Sequence, residues 1–226
     1  MILTYHEGAC IRASAGDTTV VFGPVSKKSK NFKPVNFGTD IALVALNHPD
    51  MNAADEAARG EKEPFAVIGA GEYEISGITI AGFGAKSSYG AEAKTSTKGG
   101  SSPDATSDVA FRERINTVYA LTFDGISLLY LGALGSSELP AELLEMDAPD
   151  VLFVPISGEG TLGPSEAQKL AVKLEAKIVI PILYTEKTLK QFLKEAGEEN
   201  VKPVDKLTIK PRDIVGKEGD VVVLSS

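Results

Sequence analysis

The chain has 226 residues, 23 Lys plus Arg against 31 Asp plus Glu, a net charge of −8, 43% hydrophobic residues and no Trp. Such a length buries a core without disulfides, while acidity and scarce aromatics argue against a broad phosphate-binding surface or a base-stacking platform. No apolar run reaches a membrane span, the first residues lack a basic-then-apolar leader, and the single Cys10 excludes an internal disulfide; a reducing cytoplasm is the expected setting, with no nucleic-acid and no membrane partner.

In chain order, Ile2 to Tyr5, Ala9 to Ala13 and Thr18 to Phe22 read as short strands, the last two separated by a turn at Ala15-Gly16-Asp17. Cys10, within the apolar Gly8-Ala9-Cys10-Ile11, reads as a small buried hydrophobe rather than a nucleophile. The basic run from Lys27 to Lys33 reads as a solvated loop. Ile41 to Leu46 is continuously apolar, the pattern of a strand buried on both faces. Asn52 to Arg59 is Ala-rich, with Asn at its start and Gly60 at its end, and predicts a short helix.

Strands follow at Phe65 to Ile68, Tyr73 to Ile75 and Ile78 to Phe83, punctuated by Gly69, Gly71 and Gly77. Gly69-Ala70-Gly71-Glu72 lacks the spacing of a dinucleotide loop and reads as a turn. From Lys86 to about Asp108 the chain is Ser, Thr, Gly, Ala and Lys with almost nothing apolar, which predicts a flexible polar insertion at about 86–114. Thr117 to Phe123 and Ile126 to Leu131 form a hairpin about Asp124-Gly125. Then the chain alternates: helix Pro140 to Glu145, strand Val151 to Val154, helix Pro164 to Glu175, strand Lys177 to Ile180, helix Glu186 to Ala196, and closing strands Lys206 to Ile209 and Val221 to Leu224. Ala167, Leu170, Ala171 and Leu174 share one helical face. Strands first and β–α alternation later predict an α/β chain with two sheets covered by helices, expected as one domain over 1–226.

Four segments in order carry a resemblance. They are Val20-Val21-Phe22-Gly23-Pro24; Asp40 through Asn52, which includes Leu46-Asn47-His48-Pro49-Asp50-Met51; Gly71-Glu72-Tyr73-Glu74-Ile75 leading to Leu131-Gly132-Ala133-Leu134; and Val151 through Gly158 followed by Ile178 through Tyr184. Together they resemble the metallo-β-lactamase superfamily, in its branch of small single-domain metal-dependent hydrolases similar to the sugar-lactone lactonases. The resemblance implies a four-layer αββα sandwich with a metal cleft at one edge between the sheets.

Carried over residue by residue, the family's H-x-H-x-D-H loop falls on Leu46, His48, Asp50 and Met51. Its bridging Asp falls on Ala133 and its terminal His on Leu183. A further family His belongs just after Phe83, where Gly84-Ala85-Lys86-Ser87-Ser88 has none. His48 and Asp50 are thus the remnant candidates for a metal site, and no catalytic residue can be named. Zinc, manganese or iron needs several imidazole and carboxylate ligands, so no cofactor is expected unless the site has been rebuilt. In place of a metal role, Asp50 is read as a helix cap and His48 as a satisfied loop residue; were Asp50 buried, backbone N–H groups, Asn47 and Asn52 are its expected donors. Asn47, Ser157 and Gly158 are candidate ligand-binding residues near the presumed cleft. The function this predicts is a non-catalytic or ligand-binding pseudo-hydrolase, its partner a small molecule or protein. The alternatives are a divergent hydrolase of a lactone or phosphoester, or an interaction module working through the polar insertion. A homo-oligomer is compatible with the exposed sheet edges and with the family.

Overall fold

The structure, a computed structural model, describes residues 1–58, 60–91 and 114–226. In the first half the elements are β1 (Ile2–Tyr5), β2 (Ile11–Ala15), β3 (Thr18–Phe22), β4 (Ile41–Val44), β5 (Phe65–Ile68), β6 (Gly71–Ile75) and β7 (Ile78–Ser87). In the second they are β8 (Arg114–Phe123), β9 (Ile126–Tyr130), α1 (Ala141–Leu144), β10 (Val151–Pro155), α2 (Pro164–Lys173), β11 (Ile178–Ile182), α3 (Glu186–Ala196), β12 (Leu207–Thr208) and β13 (Asp220–Val221).

Two mixed sheets result. The first has the order β12-β1-β2-β3-β4-β5, the second β13-β11-β10-β9-β8-β7-β6. Hairpin-linked strands pair antiparallel, as in β2 with β3 and β8 with β9, whereas β4 joins β3 and β5 in parallel and β10 joins β9 and β11 in parallel. Strand alternation sends Leu3, Ile11, Val20, Phe22, Ile41 and Leu43 from the first sheet against Ile80, Tyr119, Ile126, Tyr130, Phe153 and Ile180 from the second, and these form one core. The central strands β4, β10 and β11 are buried along their whole length, which accounts for their unbroken apolar runs. Two buried tyrosines tie the sheets together. Tyr119 donates its hydroxyl to Val44 O at 2.8 Å, and Tyr130 donates to Ala9 O at 2.8 Å.

The outer face of the second sheet is covered by helices. Ala167, Leu170 and Ala171 of α2 and Phe192 and Leu193 of α3 pack with Leu152, Val154 and Val179. The start of α3 is capped by Thr185, whose hydroxyl accepts from Thr188 N, and its end by Gly197 at φ 72°, a conformation that costs glycine no Cβ clash.

The first sheet is covered differently from the expectation. The helix expected over Asn52 to Arg59 is a single 3-10 turn, Ala54–Glu56, and Arg59 lies outside the described residues. Ala53 precedes that turn with no side-chain cap, and only small side chains, Ala53, Ala54 and Ala57, bury against Val21, Ala42 and Val44. A segment this short, without a cap or a large apolar stripe, gains too little from packing to offset helix nucleation. The expected polar insertion is also narrower. Lys86 and Ser87 complete β7, Arg114 opens β8, and the two strands pair as far as Ser87 with Arg114. Most of that segment, 92–113, lies outside the described residues. Among the described residues no helix is long and apolar enough to cross a membrane.

Candidate functional site

The loop leaving β4 carries Leu46 to Met51, and its one ionisable pair is His48 and Asp50. Asp50 is 1% exposed, yet it does not cap a helix, and Asn47 and Asn52 are not its donors. Those two amides bond each other, Asn52 Nδ2 donating to Asn47 Oδ1 at 3.0 Å. The donors come instead from two distant stretches. Ser29 Oγ donates to Oδ1 at 2.6 Å, Asn31 Nδ2 to Oδ2 at 2.8 Å, and the Tyr89 hydroxyl to Oδ2 at 2.7 Å. Three donors take up most of a carboxylate's accepting capacity, and all three are neutral.

Burial pushes the Asp50 carboxyl upward, but the hydrogen bonds from Ser29, Tyr89 and Asn31 and the neighbouring His48 hold it below its ordinary value. His48 responds in the opposite sense to its charge. Burial lowers it, Asp50 raises it, Arg114 lowers it, and the net direction is down, so the ring is neutral at pH 7. Its Nδ1 accepts the Asp50 N–H at 3.2 Å, which assigns the ring proton to Nε2. Tyr89 meets the imidazole edge-on with centroids 5.3 Å apart. Gly90 lies against the same ring so closely that a Cβ there would come within 2.6 Å of Nε2. The segment Tyr89-Gly90 therefore clasps the His48–Asp50 pair. Burial and the Asp50 carboxylate raise the Tyr89 hydroxyl, so it stays protonated and acts as donor.

Sequence reading missed Ser29, Asn31 and Tyr89. The lysines around Ser29 and Asn31 are exposed as expected, and they disguised a Ser-x-Asn spacing that brings two polar side chains onto Asp50. Tyr89 was the detectable signal, being the single aromatic between Lys86 and Asp108.

Around this pair the ends of β4, β9 and β11 are closed by apolar side chains. Leu46 is 2% exposed, Met51 0%, Ala133 0% and Leu183 3%, and all four join the core between the sheets. Leu183 adopts φ 50°, an uncommon left-handed conformation for leucine, with its N–H held by Gly8 O at 2.7 Å. Behind Ala133, the fully buried Asn116 accepts from Ala133 N and donates to Leu131 O.

The candidate ligand-binding residues separate. Asn47 and His48 line one side of a cavity of about 560 Å³, together with Ser26, Lys28, Asn52 and Glu56. Ser157 and Gly158 do not line it. The Ser157 hydroxyl pairs with that of Thr161 at 2.8 Å, and this loop packs against the Tyr89 segment, Ser88 N donating to Gly160 O. Among the described residues no group of three or more His, Cys, Asp or Glu side chains is placed to hold a metal ion.

Two mixed sheets back to back, with the loops after β4, β9 and β11 gathered at one edge, define the metallo-β-lactamase type of α/β sandwich. The model of the β-lactamase superfamily domain matches residues 2–183, and the chain belongs to that family. Within it, a UPF0173 metal-dependent hydrolase of Bacillus velezensis is 24% identical over 195 residues, covering 81% of this chain and 85% of that protein. Another from Bacillus licheniformis is 22% identical over 196 residues, covering 82% of this chain and 86% of that protein. A Thermotoga maritima structure assigned to the Zn-dependent hydrolases of the metallo-β-lactamase superfamily superposes with a TM-score of 0.69 at 24% identity, covering 99% of this chain and 97% of that one.

Proposed function

We propose that this chain is a metallo-β-lactamase-fold protein in which the family's metal-dependent hydrolysis has been replaced by a non-catalytic, ligand-binding role. The observation that carries this reading is the burial of Leu46, Met51, Ala133 and Leu183 in the core, at the positions where the resemblance puts metal ligands. A zinc, manganese or iron site needs three or more imidazole, thiolate or carboxylate groups around each ion. Among the described residues no three such groups converge to hold an ion, and the Asp50 carboxylate beside His48 is already committed to Ser29, Asn31 and Tyr89. That donor set does not fit a catalytic metal. What remains is a closed edge beside an open cavity of about 560 Å³, within the size range of small-molecule sites. Asn47 is the sequence-derived candidate best placed to contact a ligand there.

The test is elemental mass spectrometry of protein purified without chelator and then exposed to zinc, manganese and iron. Substoichiometric metal, with no turnover of lactones or phosphoesters, is the expected result. A full complement of bound ion with hydrolysis abolished by His48→Ala would overturn the proposal.

A further inference from the structure

We propose that the outer face of the first sheet carries a binding site for a small oxoanion, built on Arg12, His6 and Thr4. The register places Thr4 of β1, Arg12 of β2 and Val21 of β3 in one row across that face. Phe37 leans over the row. The Arg12 guanidinium lies 5.1 Å from its ring centroid, and the His6 ring packs on it at 4.5 Å. His6 Nε2 and Thr4 Oγ1 are 3.1 Å apart, which fixes the imidazole beside the threonine.

What marks this cluster is an unmet donor. Arg12 is half-buried, and its Nε is shielded from solvent without a hydrogen-bond partner among the described residues. The acidic side chain next in sequence to His6 is spent elsewhere, since Glu7 pairs with Lys33 at 3.0 Å. A guanidinium cannot shed its proton to relieve the mismatch, and half-buried arginines ordinarily hold a carboxylate or phosphate in their planar fork. A two-oxygen face of such an anion satisfies Nε and a terminal N–H together once the side chain swings out from its cover, a rotamer change of the kind common on binding. His6 is held low by burial and by the Arg12 charge. A bound anion reverses the second effect, so the imidazole takes up a proton and becomes a second donor. Free phosphate and the carboxylate of an organic acid share this chemistry. The chain's net charge of −8 restricts the ligand to something small rather than a polyanion. This site lies on the sheet's outer face, and neither Arg12 nor His6 lines the cavity beside His48.

The experiment is a nitrogen–proton NMR titration of the whole chain, following the Arg12 Nε–H, with inorganic phosphate and separately with acetate, chloride holding the ionic strength constant. We expect a saturable shift of that resonance and a rise in the His6 ring pKa at saturation. A response to phosphate alone assigns the site to phosphoryl groups, and a response to both assigns it to carboxylates as well. Arg12→Lys keeps the charge and loses the fork, and should weaken binding by about tenfold or more. Arg12→Gln should abolish it. An unmoved Arg12 Nε–H with both ions, or undiminished binding by a folded Arg12→Gln protein, would refute the site. Because the first readout uses the unaltered chain, misfolding of a variant leaves the proposal open to refutation.

Discussion

Asp50 and Arg12 are both charged side chains drawn away from water, and the fold treats them in opposite ways. Asp50 is enclosed at the end of β4 by three donors from residues 19 to 39 positions away in sequence. Arg12, on the outer face of β2, faces an aromatic ring and keeps a shielded Nε–H with no acceptor among the described residues. A charge that the protein itself satisfies is a structural joint, and one left unsatisfied marks a place for something from outside. In this chain the joint lies in the loop that leaves β4, while the open donor sits on the outer face of the first sheet.

The largest effect should come from breaking the joint. Asp50→Ala strands the Ser29, Asn31 and Tyr89 donors, and urea unfolding should show a loss of about 3 kcal/mol. Next, Tyr89→Phe removes a single donor, and the same measurement should give about 1 kcal/mol. A loss as large as that of Asp50→Ala would mean that Tyr89 acts through the clasp on His48 rather than through its hydrogen bond.

Acid should act on both regions. His48 and His6 are each held below their ordinary value, so the unfolded chain takes up protons first and stability declines as pH falls below about 6.5. Asp50 is also lowered, so its contribution is intact above about pH 4 and is lost as pH falls through its depressed value. Thermal melts from pH 8 to 3 should decline in that order, and a melting temperature rising between pH 6.5 and 5 would contradict the neutral imidazoles. The smallest effect is expected at Arg12→Met, which keeps the packing on Phe37 and removes an unpaired charge; its stability should stay within about 1 kcal/mol of the parent. A larger loss would reveal an internal partner for Arg12 and erase the contrast with Asp50.

Much of the architecture was legible before the structure. Continuous apolar runs marked β4, β10 and β11, turn residues marked the β8–β9 hairpin, and the spacing of Ala167, Leu170 and Ala171 marked the buried face of α2. The misreading of Asn52 to Arg59 came from weighing propensity without packing, since alanines alone present too little surface to fix a helix. The order of motifs singled out His48 and Asp50, which the structure pairs with each other; Asn47 lines a cavity with His48, whereas Ser157 and Gly158 do not line it.

The sequence by itself determined the strands, the two long helices and the identity of the side chains at the edge of the sandwich, because periodicity and residue type are local properties. Only the tertiary structure decided what those side chains do. That Leu46, Met51, Ala133 and Leu183 meet in one core, that Ser29 and Asn31 turn from a lysine-rich loop onto Asp50, and that the Arg12 Nε finds no acceptor among the described residues are relations between residues far apart in the chain. Such relations follow from which strands pair and which loops cross. No spacing along the chain encodes them, since a hydrogen bond between residues 50 and 89 exists only once β4 and β7 have taken their places in separate sheets.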